Sequence, residues 1–215
     1  MRKSKIAILC AAPLACAILS SAQQPGSREA AVAIDRIDVP AADKLQLEVV
    51  ATGLRLPWSL AFLPDGRMLV TEKHHGLRII GRDGSIGPLL AGGPPNVLAK
   101  EDSGHLDVVL DPDFATNRFI YIAFAEGTEE SNRTAIWKAR LDGLRLTGGR
   151  AIFRVNGAKK RPAHPGGRML FLPEKTLLLS VGDAYDYRDA AQDPATHLGK
   201  LLRLTRDGRA APDNP

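Results

Sequence analysis

Cysteine is nearly missing from this chain: there are two, Cys10 and Cys16. Both fall within the first 22 residues, so loss of that segment would leave no thiol at all. A disulfide framework and thiol chemistry are thereby excluded. No later run is apolar enough to cross a membrane as a helix. There is no glycine-rich phosphate loop, and no sustained helical period interrupts the body of the chain. The excess of positive charge is also partly local. The formal net charge of +5 falls to +2 once the three residues Arg2, Lys3 and Lys5 are set aside, so the basic balance does not argue for a nucleic-acid partner.

The segment carrying those cysteines has a pattern of its own. A basic start is followed by the short apolar run Ile6–Leu19 and the small residues Ser20, Ser21 and Ala22. This is the pattern of a secretory signal peptide over residues 1–22, with an uncleaved anchor as the alternative. A periplasmic or secreted protein is expected. Residues 23–45, rich in Ala, Pro and charge, read as a linker.

From Leu45 onward short β-type runs alternate with Gly, Pro and Asp. Three segments are alike: "LAFLPDGRMLVTEK" from Leu60, "VVLDPDFATNRFIYIAFAE" from Val108 and "MLFLPEKTLLLSVGD" from Met169. Each has a strand, a turn opened by proline (Pro64, Pro112, Pro173) and a second strand. A further hairpin follows each, with Asp-Gly at the bend: Asp83-Gly84, Asp142-Gly143 and Asp207-Gly208. Proline presets φ at a turn corner, and Asp-Gly suits a tight reversal. A four-stranded unit recurring about every 50 residues is the signature of propeller blades. The expected fold is therefore all-β, a β-propeller of four-stranded blades with about three blades over residues 46–215; a β-sandwich is the alternative. Propellers close with roughly four to eight blades. The chain is thus expected to be the N-terminal part of a longer protein, and to associate and be inactive when alone.

One stretch carries candidate chemistry: "AHPGGRMLFLPEKTLLLSVGD", Ala163 to Asp183. If its two apolar runs pair as a hairpin, His164 and Asp183 emerge at the same end of the sheet. A neutral imidazole accepts a proton near neutral pH, and a carboxylate on its other nitrogen fixes the tautomer. Gly166 and Gly167 would let the backbone approach a flat ligand closely. A solvated turn histidine followed by a plain strand-ending turn is the structural alternative.

These motifs have a family resemblance. "GLRLPWSLAFLPDGRMLVTEK", "GHLDVVLDPDFATNRFIYIAFAE", "HPGGRMLFLP" and "AQDPATHLGKLLRLTRDGRAAPDNP" occur in the order found in the soluble PQQ-dependent sugar dehydrogenases, the six-bladed glucose/sorbosone dehydrogenase family, which the chain resembles from about Leu47 to Pro215. The resemblance implies oxidation of an aldose at C1, with hydride transfer to PQQ and onward transfer to an external electron acceptor. It implies that His164 is the general base and that Asp183 orients it. Gly166, Gly167, Arg168 and Asp102 become the candidate cofactor-binding residues. It also implies that the basic residues holding the PQQ carboxylates, and the ligands of a calcium ion, belong to later blades. The chain departs from the pattern at Asp102, where relatives often have glutamine, at His105, usually apolar, and at Ala184, often arginine. A carboxylate at 102 accepts but cannot donate hydrogen bonds. A non-catalytic carbohydrate- or protein-binding propeller and a calcium-dependent propeller lactonase are the alternative functions.

Other groupings are weaker. His74-His75 read as adjacent strand residues on opposite faces, and "DPDFATN" (Asp111 to Asn117) as a structural turn. "NRT" (Asn132 to Thr134) is a glycosylation sequon only in a suitable host, and "GAKKRP" (Gly157 to Pro162) is a short basic loop.

Overall fold

The computed structural model describes residues 4–10 and 45–214. The expected linker, but for Leu45, and most of the expected export signal lie outside them. Strand β1 (Ser4–Cys10) runs parallel to β2 (Leu45–Thr52). The remaining strands form three successive antiparallel sheets. The first is β3 (Pro57–Phe62), β4 (Met68–Glu72), β5 (Gly76–Ile80) and β6 (Ile86–Leu89); the second is β7 (His105–Leu110), β8 (Phe119–Gly127), β9 (Asn132–Asp142) and β10 (Arg145–Arg154). The third has β11 (Gly166–Phe171), β12 (Leu177–Val181) and β13 (Leu201–Leu204), with a single further bridge from Leu204 to Ala210. In each sheet neighbours in sequence are neighbours in space. Two four-stranded antiparallel sheets and a third of three strands with an added bridge make an all-β arrangement of the propeller-like kind expected.

Turn chemistry places the hairpins. In the first sheet Leu63 N–H donates to Arg67 O at 2.8 Å, with Gly66 at φ +85°. The third sheet repeats the turn through Leu172 N–H to Thr176 O at 2.8 Å, where Lys175 takes the left-handed conformation that Gly66 takes in the first. The Asp-Gly bends at Gly84 and Gly208 also have φ near +80°, a conformation open to glycine at little cost. The second sheet differs: Phe114–Asn117 makes one helical turn before β8, in place of a plain reversal. Asp111 anchors that turn by accepting from Asn117 Nδ2 and Asp113 N at 2.9 Å each.

Strand β8 shows why the sheets stack. Ile120 and Ile122 belong to the core shared with Leu69, Leu77 and Ile79 of the first sheet; Tyr121 and Ala123 join Met169, Leu177 and Leu179 of the third. Alternate side chains of a strand point to opposite faces, so an unbroken apolar run is buried on both sides. β7, the first strand of the second sheet, packs against the first strands of the other two, β3 and β11. Asp107, 4% exposed in the middle of β7, ties them together. It accepts from Ser59 Oγ of β3, and from Met169 N (2.6 Å) and Arg168 Nη1 (3.2 Å) of β11. A buried carboxylate so fully bonded is a joint between sheets; stripped of its donors it would be costly to bury.

Candidate active site

The ends of β11 and β12 set the site. Gly166 pairs with Val181, so the chain enters β11 from His164 and leaves β12 toward Asp183 at one edge of the third sheet. The two side chains meet there: His164 Nδ1–H donates to Asp183 Oδ1 at 2.8 Å. That bond leaves Nε2 as the proton-accepting nitrogen, and the histidine side chain is 46% exposed. The same Asp183 oxygen accepts from Tyr185 N at 3.0 Å. That amide, and then His164, hold the Asp183 carboxyl below its ordinary value, so it is ionised at neutral pH.

The two turns interlock through glycine. A Cβ on Gly182 would collide with the His164 carbonyl oxygen, and one on Gly166 with the Gly182 amide. A Cβ on Gly167 would stand 2.6 Å from Leu106 Cδ1. The space beside these glycines is thus filled by the protein itself. Packing between the turns by itself already requires glycine at both positions. His164 (φ +46°), Ala184 (φ +60°) and Tyr185 (φ +60°) all sit in the left-handed region. Strain of this kind in residues with a side chain persists only where surrounding structure enforces it.

The loop leading to His164 is pinned from the second sheet. Asn132 and Lys159 exchange backbone hydrogen bonds of 2.8 Å. Asn132 Nδ2 and Lys159 Nζ both donate to Arg161 O, at 3.1 and 2.7 Å. Thr134 Oγ1 donates to Pro165 O at 2.7 Å. Asn132 is 1% exposed, so the sequon it opens is closed to a glycan in the folded chain.

Lys159, 4% exposed, is the buried cation of this loop. Burial pushes its ammonium down to about 8, against the opposing pull of Asp102. The folded protein therefore releases this proton more readily than the unfolded chain, and stability gains from Lys159 as pH climbs from about 8 toward the ordinary lysine value. Urea melts of the full-length protein on either side of that window should show the gain, and Lys159→Met should lose it. Equal gains in both proteins would mean that the lysine is not desolvated.

The other expected residues are placed apart from the pair. Asp102 is exposed on the loop before β7, and no hydrogen bond or ion pair joins it to His164 or Asp183 among the described residues. The Arg168 guanidinium turns toward Ser59 and Asp107, at 3.3 and 3.2 Å, and its side chain stays 68% exposed. His74 and His75 lie in the turn after β4, not on a strand as expected, because β4 ends at Glu72. His105 is buried, which pushes its imidazole down. No group of three or more His, Cys, Asp or Glu among the described residues could hold a metal ion. No helix among them is long and apolar enough to cross a membrane.

Residues 54–215 match the family model described as Glucose / Sorbosone dehydrogenase. The chain belongs to that family. It is 36% identical to the aldose sugar dehydrogenase YliI of Escherichia coli over 182 residues, covering 80% of this chain and 47% of that one. The crystal structure of the soluble aldose sugar dehydrogenase of E. coli in its apo form matches with a TM-score of 0.74 at 37% identity, covering 78% of this chain and 49% of that one. The PQQ-bound aldose sugar dehydrogenase of Streptomyces coelicolor matches with a TM-score of 0.65 at 32% identity, covering 78% and 50%. The chain thus spans about half the length of the curated relatives it matches. The relatives named above are sugar dehydrogenases.

Sequence reasoning singled out His164 and Asp183 but missed Lys159, Asn132, Tyr185 and Gly182. Asp107 was missed as well, although it carried a signal as a charge inside the apolar run "HLDVVL".

Proposed function

We infer that the protein is an exported dehydrogenase oxidising the C1 hydroxyl of an aldose, built on a six-bladed propeller and passing electrons to an external acceptor. The observation that carries this reading is the His164–Asp183 pair at the family's His-x-Gly-Gly-Arg motif, with an open Nε2 and an ionised partner. PQQ, when bound, supplies the hydride acceptor. The residues present fit one part of that chemistry, a base at an open edge of the sheet. His164 Nε2 takes the sugar hydroxyl proton, while Asp183 keeps the proton on Nδ1 and stabilises the imidazolium that forms. Gly166, Gly167 and Arg168 remain the proposed cofactor contacts on this chain through their backbone and guanidinium, and Asp102 is proposed to face the same ligand from the neighbouring loop. The ligands of the proposed calcium ion are assigned to the family's later blades, and no step is assigned to it here. Export rests on the pattern of residues 1–22, and the expected compartment is periplasmic or extracellular.

The test is dye reduction by the full-length protein with aldoses, with and without added PQQ. Turnover that requires both sugar and PQQ is the expected result. Sugar affinity without turnover would favour a binding propeller, and lactone cleavage without PQQ a hydrolase.

A further inference from the structure

Asp183 does not orient His164 alone. The residue two positions later, Tyr185, touches both members of the pair. Its backbone N–H donates to the same carboxylate oxygen that accepts from His164 Nδ1, at 3.0 and 2.8 Å. Its ring meets the imidazole edge to face, with centroids 5.0 Å apart and planes at 84°. The tyrosine is itself held. Arg161 lies 4.9 Å from its ring centroid and Arg188 lies 5.6 Å away.

Arg161 closes the circuit. Its guanidinium pairs with Asp186 at 3.2 Å, and its carbonyl is fixed by Lys159 and Asn132. Arg161 precedes His164 on one turn, while Tyr185 and Asp186 follow Asp183 on the other. The stacked guanidinium and ring therefore clasp the two turns, in addition to the Gly166–Gly182 contact that already interlocks them. To present the ring this way, Ala184 and Tyr185 both take φ +60°. Two successive non-glycine residues in that region are a strained arrangement, and such strain tends to gather where a site must be held in one geometry. An edge-to-face ring contact resists rotation of the imidazole about χ2, which the single Asp183 bond resists only in part.

We propose that Tyr185 is a positioning residue for His164, fixing the plane and tautomer of the imidazole through its ring and its amide together. The inference rests on the reading of His164 as the proton acceptor. The phenol oxygen has no part in it; the ring and backbone do.

The test compares Tyr185→Ala, Tyr185→Phe and His164→Gln in the full-length protein supplied with PQQ. Two readouts are taken: steady-state turnover, and nuclear magnetic resonance of isotope-labelled histidine without cofactor. Tyr185→Ala should lower kcat about 10-fold with KM within about twofold, since a misplaced base loses rate without losing substrate affinity. Its His164 ring signals should move and its nitrogen shifts should report mixed tautomers. Tyr185→Phe, which keeps the ring and the amide, should restore most of the turnover and the single tautomer. Unchanged turnover and unchanged His164 signals in Tyr185→Ala would overturn the proposal. So would a phenylalanine variant as poor as alanine, which would assign the phenol oxygen to the substrate instead. If His164→Gln itself keeps full turnover, the reading of His164 as base fails, and the histidine signals in Tyr185→Ala still decide whether the clasp exists.

Discussion

His164→Gln, in the full-length protein supplied with PQQ and calcium, is expected to lower turnover by about 10²–10⁴ while leaving the thermal melt nearly unchanged. A positioned base typically contributes that factor, or roughly 3–5.5 kcal/mol of barrier at about 1.36 kcal/mol per decade. The fold should survive because the side chain is half exposed and its one hydrogen bond, to Asp183, lies outside the core. Glutamine can still donate to that carboxylate, so no charge is left stranded. Asp183→Asn should move turnover in the same direction by another route. The amide can donate to Nδ1 as well as accept from it, and donation would put the imidazole proton on Nε2, where it blocks proton acceptance. The measurement is steady-state dye reduction with a thermal melt on each variant. Wild-type turnover in His164→Gln would reduce this histidine to a turn residue.

What could be read in advance follows from the range over which each feature is determined. The hairpins were legible because their turns are written in two or three adjacent residues. Pro64-Asp65-Gly66 and the Asp-Gly pairs dictate reversals locally, and β-type runs on either side have no other way to pair. The His164–Asp183 contact was legible for the same reason. It spans one hairpin, and the register of β11 on β12 brings its flanks together. The helical turn at Phe114–Asn117 was read as a plain turn, because the Asp111 side chain that anchors it finds its donors only in three dimensions.

The rest depends on contacts between sheets. Asp107 reaches Ser59 and Met169, 48 and 62 residues away in the chain, and neither partner is marked as such in its own surroundings. Lys159 lies in a run, "GAKKRP", that reads as a solvated basic loop; only the covering Asn132 turn shows that one of its two lysines is buried. Tyr185 was passed over because its role requires a backbone amide, a ring and two arginines to converge. Sequence spacing shows the Asp-x-Tyr step and nothing of the Arg161 that clasps it. The glycines of "HPGGR" stood out in the sequence as places of close backbone approach, but their partners inside the protein did not. The structure shows that their immediate neighbours are Gly182 and Leu106.

Gly182 is therefore the position where the smallest change should have the largest indirect effect. Its φ lies outside the left-handed region, so alanine meets no intrinsic backbone penalty there. The obstacle is contact: the new methyl would collide with the His164 carbonyl oxygen and stand 3.0 Å from the Gly166 amide. Both obstacles are backbone, so relief cannot come from a side-chain rotation. One turn must move away from the other, and the movement falls on the residue that carries the imidazole. A displacement near 1 Å at a reacting group can cost about 10² in rate. Gly182→Ala in the full-length protein should accordingly lose turnover by about that factor, with overpacking costing about 1–3 kcal/mol of stability. Gly157→Ala is the control, since nothing stands within 4 Å of a Cβ there, although its φ of +73° carries the strain that Gly182 lacks. Steady-state rates beside urea melts separate the two effects. Lost turnover at Gly182 with stability lowered no more than in Gly157→Ala would place the damage in the geometry of His164. Equal activity in the two variants would show that the turns can part without disturbing the base.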